Sequence, residues 1–248
     1  MINGCIIVPC FNEEGNIARV INEASETNTD MEIVVINDAS TDQTSRAARS
    51  TKKATVLDLP ANLGVGGAVQ TGLKYAVSSG AAFAVKLDGD GQHPADAVSL
   101  LLRPLKDNQA DIVVGSRFLE ANTGFRSSFA RRLGIKFFGF LCLLLTGRKF
   151  TDPTSGFRAY NKKAINYMAK NYPTFDYPEP EELVLASKDG LRIIEIPVKM
   201  RERLSGVSTI SSSISIYYML KVTLAMVFIY LRAAEKPIEN EETKCSQE

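Results

Sequence analysis

Asp88-Gly89-Asp90-Gly91-Gln92-His93 follows directly on the apolar run Ala81-Ala82-Phe83-Ala84-Val85-Lys86-Leu87. Two carboxylates one residue apart are hard oxygen ligands suited to Mg²⁺ or Mn²⁺, and such ions commonly bridge the diphosphate of a nucleotide. At the carboxyl end of a buried strand they would face the ligand crevice of an open α/β sheet. Asp and Gly are also ordinary turn residues, and in isolation the hexapeptide reads more readily as a turn.

Other segments carry similar chemistry. Asn37-Asp38-Ala39-Ser40-Thr41-Asp42 places Asp38 at a strand end, where a carboxylate can accept from a base N–H or a ribose hydroxyl. Ser40 or Thr41 there could equally cap a helix. Asn62-Leu63-Gly64-Val65-Gly66-Gly67 precedes a helix, whose N-terminus favours anions. It is neither a P-loop, since no Gly-Lys-Ser/Thr follows, nor a dinucleotide fingerprint. Asp152-Pro153-Thr154-Ser155-Gly156-Phe157-Arg158 is either a Pro/Gly turn or a loop bringing a carboxylate and a guanidinium to a second substrate. Arg201, Arg203, Gly206, Ser208 and Thr209 form a late basic, hydroxyl-rich stretch suited to phosphate, or plain surface charge. His93, the single histidine, reads as a surface or capping residue ahead of a site residue.

The elements that must position these groups alternate. Cys5–Val8, Glu32–Ile36, Ala54–Asp58, Ala82–Leu87 and Asp111–Gly115 read as apolar strands. Between them, a helix capped by Asn12 carries Ile17, Val20, Ile21 and Ala24 on one face. Val65–Val77 is a second helix, and a third starts at Pro94 and runs to about Lys106. Such alternation predicts a mostly parallel sheet covered on both faces. Arg126–Gly147 holds an apolar block that is a core helix or a helix whose greasy face meets lipid.

The 248 residues suffice for one large α/β domain with an appendage, and 45% hydrophobic content supports a sizeable core. A net charge of +1 gives no support for nucleic-acid binding. Cys5, Cys10, Cys142 and Cys245 lack metal-type spacing and suit a reducing compartment. The first residues do not read as a signal peptide. Ile214–Leu231 is mostly apolar, broken by Lys221, and reads as a helix in a membrane interface ahead of a spanning or core helix. The charged stretch from about Glu235 reads as a frayed tail.

In order, Ile7-Val8-Pro9-Cys10-Phe11-Asn12-Glu13-Glu14, Asn37–Asp42, Asn62-Leu63-Gly64, Asp88–Pro94, Gly115-Ser116-Arg117 and Thr154–Arg158 resemble glycosyltransferase family 2. Within it, the chain looks like the branch of dolichyl- and polyprenyl-phosphate sugar synthases, over about Ile6 to Thr209. The resemblance implies an α/β GT-A fold and inverting, metal-dependent transfer from a nucleotide-diphosphate sugar, UDP- or GDP-linked. It implies that Pro9, Asn12, Glu13 and Gly64 line the nucleotide pocket with Asp38 on the base. Asp88 and Asp90 would take the metal with Gln92 at a further metal position, Asp90 and Arg158 serving catalysis. Arg117, Arg131, Arg158, Arg201, Arg203 and Ser208 would hold phosphate or acceptor.

Two acceptors need different machinery. A sugar hydroxyl needs a base, for which Asp152 is the candidate. A lipid phosphate is already an anion and needs arginines and a greasy path. The arginines and the two apolar segments favour polyprenyl phosphate. The expected organisation is a catalytic domain over 1–212, a membrane-interfacial or membrane-associated helix over 213–234 and a flexible tail over 235–248. The protein would sit peripherally or monotopically on the cytoplasmic side of a membrane, with or without a small membrane-anchor protein. Deleting Ile214 onward would then release it from membranes without abolishing donor binding. A sugar nucleotidyltransferase would be expected to carry a basic Gly-rich loop where Pro9–Glu13 stand. A catalytically silent scaffold would not need the acidic set intact.

Overall fold

A computed structural model describes residues 4–120, 129–174, 176–201 and 212–232, with backbone only at 129–131 and 212–216. The chain alternates β1 (Gly4–Cys10), α1 (Ile17–Thr27), β2 (Met31–Asn37), α2 (Thr44–Ser50), β3 (Thr55–Asp58), α3 (Gly64–Ser78) and β4 (Phe83–Lys86). A short 3₁₀ turn at Ala95–Ala97 leads into α4 (Val98–Lys106), then β5 (Ile112–Ser116) and α5 (Phe129–Thr146). β6 (Arg158–Asn161), α6 (Lys162–Asn171), α7 (Glu179–Lys188), β7 (Ile193–Pro197) and α8 (Ser212–Leu231) complete it.

Seven strands form one sheet in the order β3-β2-β1-β4-β6-β5-β7. All pairs are parallel except those of β6, which runs antiparallel to both β4 and β5. The mostly parallel sheet is therefore as expected, and the reversed strand starts at Arg158, the last residue of the segment that reads as a turn or loop. Strand periodicity sends alternate side chains to opposite faces. Ile6 and Val8 join a core under α1 and α4, while Cys5 and Ile7 join one under α3, α5, α6, α7 and α8. Burial of these apolar side chains, at about 25 cal/mol per Å², dominates the stability of both layers.

β1 runs through Pro9 rather than ending there, and the pairing explains how. β1 pairs with β4 only to Ile7 but with β2 as far as Cys10. Ile7 turns its carbonyl to β4, accepting from Leu87 N–H at 2.9 Å. By alternation Pro9 also faces that side, where β4 has ended and no ladder donor is required.

One side of α5 packs into the core and the other is exposed. Phe138, Leu141 and Cys142 are buried in the core, while Leu133, Phe137, Phe140, Leu143 and Leu144 are exposed. α8 is bound to the domain, since Val222 and Met226 are fully buried in the core beneath α7. Among the described residues no helix is long and apolar enough to cross a membrane.

Candidate active site

The carboxyl ends of β1, β2, β4 and β5 form one edge, and the polar segments collect there. After β1, Asn12 takes a left-handed conformation (φ 57°). It does not cap α1. Its Oδ1 accepts from Thr41 N–H at 2.9 Å, and its own N–H donates to Ser40 Oγ at 2.9 Å. Ser40 and Thr41 are thereby taken up by Asn12, and Asp42 Oδ1 caps α2 by accepting from Thr44 N–H at 2.9 Å. Glu13 N–H donates to Thr44 Oγ1 at 2.7 Å, and its carboxylate accepts from Asn16 Nδ2 at 2.7 Å. Two loops are thus stitched side by side.

Asp38 is buried, its N–H donating to Cys10 O at 2.9 Å. Its Oδ1 accepts from Leu63 N–H at 2.7 Å, which ties the turn before Gly64 to the end of β2. Burial pushes the Asp38 carboxyl above its ordinary value, opposed by the Leu63 and Gly64 amides.

Asp88 follows β4 with its side chain one-third exposed. Gly91 holds the turn in the left-handed region (φ 77°), which glycine adopts without strain. Asp90 is buried, its Oδ1 accepting from Gln92 N–H at 3.0 Å. His93 is not a surface residue. It is buried and stacked on Phe157 with centroids 4.8 Å apart. Its Nδ1 accepts from Asp88 N–H at 3.1 Å, so Nε2 bears the proton and faces Asp88 Oδ2 at 3.4 Å. Burial lowers the His93 pKa, against the pull of Asp88 and Asp90. A neutral imidazole thus braces the turn and fixes Asp88.

Arg117 and Asp152 form a buried bidentate pair. Nε donates to Oδ2 and Nη2 to Oδ1, both at 2.7 Å, and Arg117 N–H adds a bond to Oδ2 at 3.0 Å. Arg117 Nη2 also reaches Thr154 Oγ1 at 2.9 Å. Asp152, expected as a base for a sugar-hydroxyl acceptor, has 0% exposure and gives both oxygens to Arg117. Behind it, Glu195 accepts from the N–H groups of Thr151 and Asp152 at 2.7 and 2.8 Å.

Arg158 is likewise 0% exposed, and it grips protein rather than an acceptor phosphate. Nη1 lies 2.9 Å from Glu182 Oε2, and Nε donates to Ser155 O at 2.9 Å. Nη2 donates to Pro153 O at 3.2 Å and to Glu179 O at 2.7 Å. Arg201 is exposed, its guanidinium paired with Glu23 and its N–H donating to Gln92 O at 2.9 Å. The chain after β7 thereby crosses the Asp88–Gln92 turn. Arg131 lies in α5 with only its backbone described, and Arg203 and Ser208 lie outside the described residues.

Sequence reasoning missed Lys86 and Glu179. Lys86 is buried at the end of β4, with Nζ 2.8 Å from Glu179 Oε1 and 3.8 Å from Asp88 Oδ1. Burial works against both charges, yet the pair prevails, holding Lys86 above its ordinary value and Glu179 below its own. A Cβ on Gly156 would sit 2.9 Å from Lys86 Nζ and 3.3 Å from Asp88 Oδ2, so glycine lets this loop close on the pair. The available signal was a lysine ending an apolar strand run, where a charge needs a partner.

The donor set fits a divalent cation shared with a diphosphate. Among the described residues no cluster of three or more His, Cys, Asp or Glu could hold a metal alone. Mg²⁺ is typically held by one or two carboxylates with substrate phosphates completing the shell, which Asp88 and Asp90 could supply.

Comparison with known proteins places the chain by family and fold. The family described as glycosyl transferase family 2 matches residues 5–168. The UDP-N-acetylglucosamine–dolichyl-phosphate N-acetylglucosaminyltransferase of Methanococcus voltae is 32% identical over 215 residues, covering 78% of this chain and 84% of that protein. The polyprenol monophosphomannose synthase of Mycolicibacterium smegmatis is 27% identical, covering 84% and 81% of the two chains. Glucosyl-3-phosphoglycerate synthase from Mycobacterium tuberculosis, in complex with Mn²⁺, UDP and phosphoglyceric acid, superposes with a TM-score of 0.68 at 19% identity, covering 94% of this chain and 79% of that one. The last likeness is one of fold, which is GT-A-like.

Proposed function

The chain belongs to glycosyl transferase family 2, and from that premise we propose that it transfers a sugar from a UDP- or GDP-sugar to polyprenyl (dolichyl-type) phosphate, with inversion. It is a glycosyltransferase; the acceptor, the metal and the stereochemistry are our reading. The observation that carries it is the presentation of Asp88 and Asp90 after β4, at the same sheet edge as the loop that Asp38 pins and the buried Arg117–Asp152 pair. Relatives of the chain are named for transfer to dolichyl and polyprenyl phosphates.

Asp88 and Asp90 would hold Mg²⁺ or Mn²⁺, which when bound neutralises charge growing on the leaving diphosphate. Asp38, Asn12, Glu13 and Gly64 would border the nucleoside, with Pro9 shaping the floor. His93 and Lys86 fix the direction of Asp88, and Gln92 anchors Asp90 through its N–H. The Arg117–Asp152 pair and Arg158 hold the 152–158 loop rigid, so that Thr154 and Arg117 stand at fixed positions. A lipid phosphate needs no base. A sugar-hydroxyl acceptor would, and the carboxylate expected for it is bound to Arg117. Arg131, Arg201, Arg203 and Ser208 remain proposed holders of the acceptor. The protein would lie peripherally on the cytoplasmic side of a membrane, where buried thiols such as Cys5, Cys10 and Cys142 stay reduced.

The test is a thermal-shift screen of nucleotide sugars with and without Mn²⁺, followed by transfer of the preferred donor to polyprenyl phosphate. A ligand should raise Tm by mass action, and Asp90→Ala should lose the metal-dependent part. Metal-independent binding together with absence of lipid-linked product would overturn the reading.

A further inference from the structure

We propose that Glu23, on α1 and outside the motifs read from the sequence, is a positioning residue for the metal-binding turn. Through Arg19 and Arg201 it clasps the Asp88–Gln92 turn and so sets the place of Asp90. The proposal rests on the reading of Asp88 and Asp90 as metal ligands given above, and it names what holds them.

Three sides of the turn are fixed by close approach. A Cβ on Gly89 would stand 3.1 Å from Cys10 Cβ and 3.2 Å from Pro9 O, so that side lies on the end of β1. A Cβ on Gly91 would run into Arg19 Nη2 and come within 3.7 Å of Val20 Cγ2, so that side lies on α1. At the far end His93 stacks on Phe157. Within the turn the ties are thin. Gly91 N–H donates to Asp88 O at 3.4 Å, and Gln92 N–H to Asp90 Oδ1 at 3.0 Å. The Gln92 carbonyl is met from outside, by Arg201 N–H at 2.9 Å. The residue that anchors Asp90 through its N–H is therefore itself anchored through its carbonyl.

Arg201 ends the segment that leaves β7. Val198 N–H donates to Ser116 O at 2.9 Å, which ties the start of that segment to β5 beside Arg117. Its end is fastened by the Arg201 guanidinium, whose Nη1 lies 2.5 Å from Glu23 Oε2. Glu23 Oε1 lies 3.8 Å from Arg19 Nη1, one helical turn earlier. Arg19 Nη2 is buried against Gly91 and has no hydrogen-bond partner among the described residues. A buried donor without an acceptor is costly, and Glu23 is the anion that keeps this one in place. One carboxylate thus holds two arginines, the first against Gly91 and the second against Gln92.

The side chains of Arg19, Glu23 and Arg201 are 38%, 33% and 41% exposed, and ion pairs this open contribute little to global stability. Their effect is local, and the local group is the metal-binding turn. A guanidinium has several N–H donors, so Arg201 keeps others for an acceptor phosphate while Nη1 is on Glu23.

The experiment titrates Mn²⁺ against the full chain with UDP and, in parallel, with GDP, reading nucleotide binding by calorimetry. Exchange of the Arg201 amide is followed by NMR without metal. Glu23→Ala should raise the Mn²⁺ concentration for half-maximal nucleotide binding about tenfold, the lower end of what groups behind a metal ligand contribute. It should also speed exchange of the Arg201 amide. Glu23→Gln still accepts from Arg201 and should fall between Glu23→Ala and the wild type on both readouts. Glu26→Ala is the control. It removes the same charge from the same helix, at a residue 4.0 Å from Lys53, and should match the wild type. Tm should move by less than about 4 °C in all three variants. An unchanged Mn²⁺ midpoint or an unchanged Arg201 amide in Glu23→Ala overturns the inference. So does an equal shift in Glu26→Ala, which would mark a bulk charge effect, and so does a larger fall in Tm, which would make Glu23 a residue of the fold. A wild type whose nucleotide binding ignores Mn²⁺ refutes the metal reading and takes the role of Glu23 with it. A wild type that responds to Mn²⁺ and a Glu23→Ala that responds identically refute the role of Glu23 alone.

Discussion

Asp152→Asn separates the two roles open to this carboxylate. In the structure it accepts from Arg117 Nε and Nη2 at 2.7 Å and from the Arg117 amide at 3.0 Å, with no exposed surface. Asparagine keeps one acceptor, loses the charge and turns an NH₂ toward donors. Breaking a buried ion pair from one side costs about 3–5 kcal/mol, and the retained acceptor places this case near about 3. For a domain of this size that is a fall in Tm of about 6–12 °C. Thermal unfolding without ligand measures it directly. Adding Arg117→Met should recover part of the loss, because the stranded guanidinium is then gone. A base facing the acceptor would behave differently: turnover would vanish while Tm stayed put. An unchanged Tm in Asp152→Asn would refute the clamp.

Glu181 is buried on α7 with Oε1 unpartnered, and burial pushes its carboxyl from 4.5 up to about 8, Lys221 opposing and Glu179 reinforcing. A raised folded value means stability is full below about pH 4.5 and is lost as pH climbs through about 8, at about 1.4 kcal/mol per unit, a few kcal/mol in total. Glu181→Gln should therefore raise Tm at pH 8.5 and hardly change it at pH 4.5; equal effects at both would contradict the burial argument. Gly156→Ala should weaken Mn²⁺-dependent donor binding by pressing its Cβ on Lys86 and Asp88, at a stability cost of about 1–3 kcal/mol, and unchanged calorimetric affinity would refute the close approach. Burial pushes the Cys10 and Cys142 thiols up to about 12. Iodoacetamide at pH 8 should leave both unlabelled in native protein and label both in urea, and peptide mass spectrometry showing equal labelling would refute their burial.

The sequence made the strand ends legible because apolar runs and their polar terminators are local signals. β1 to β5, the Asp88 turn and the helix after Gly64 all follow from such runs. β6 was hidden because Arg158-Ala159-Tyr160-Asn161 has an arginine and a tyrosine on its buried face, the opposite of the usual pattern. The burial of Arg158 depends on Glu182, which lies on another element and reads in Pro178-Glu179-Pro180-Glu181-Glu182 as a solvated acidic run. Asp152 and Arg158 were legible as functional residue types but not as residues facing inward. Direction is a tertiary property, set here by Arg117, Glu195 and α7.

The register of β4 against β6 sets Lys86 directly opposite Arg158. Two like charges side by side on neighbouring strands repel, and both are buried. Glu179 answers one and Glu182 the other from a single turn of α7. The four residues are therefore one electrostatic unit. Loss of either acid alone strands a cation, and loss of either cation alone strands an acid. Among descendants of this chain, Lys86 and Glu179 should disappear together, as should Arg158 and Glu182, leaving a correlated signature in any sufficiently deep set of relatives.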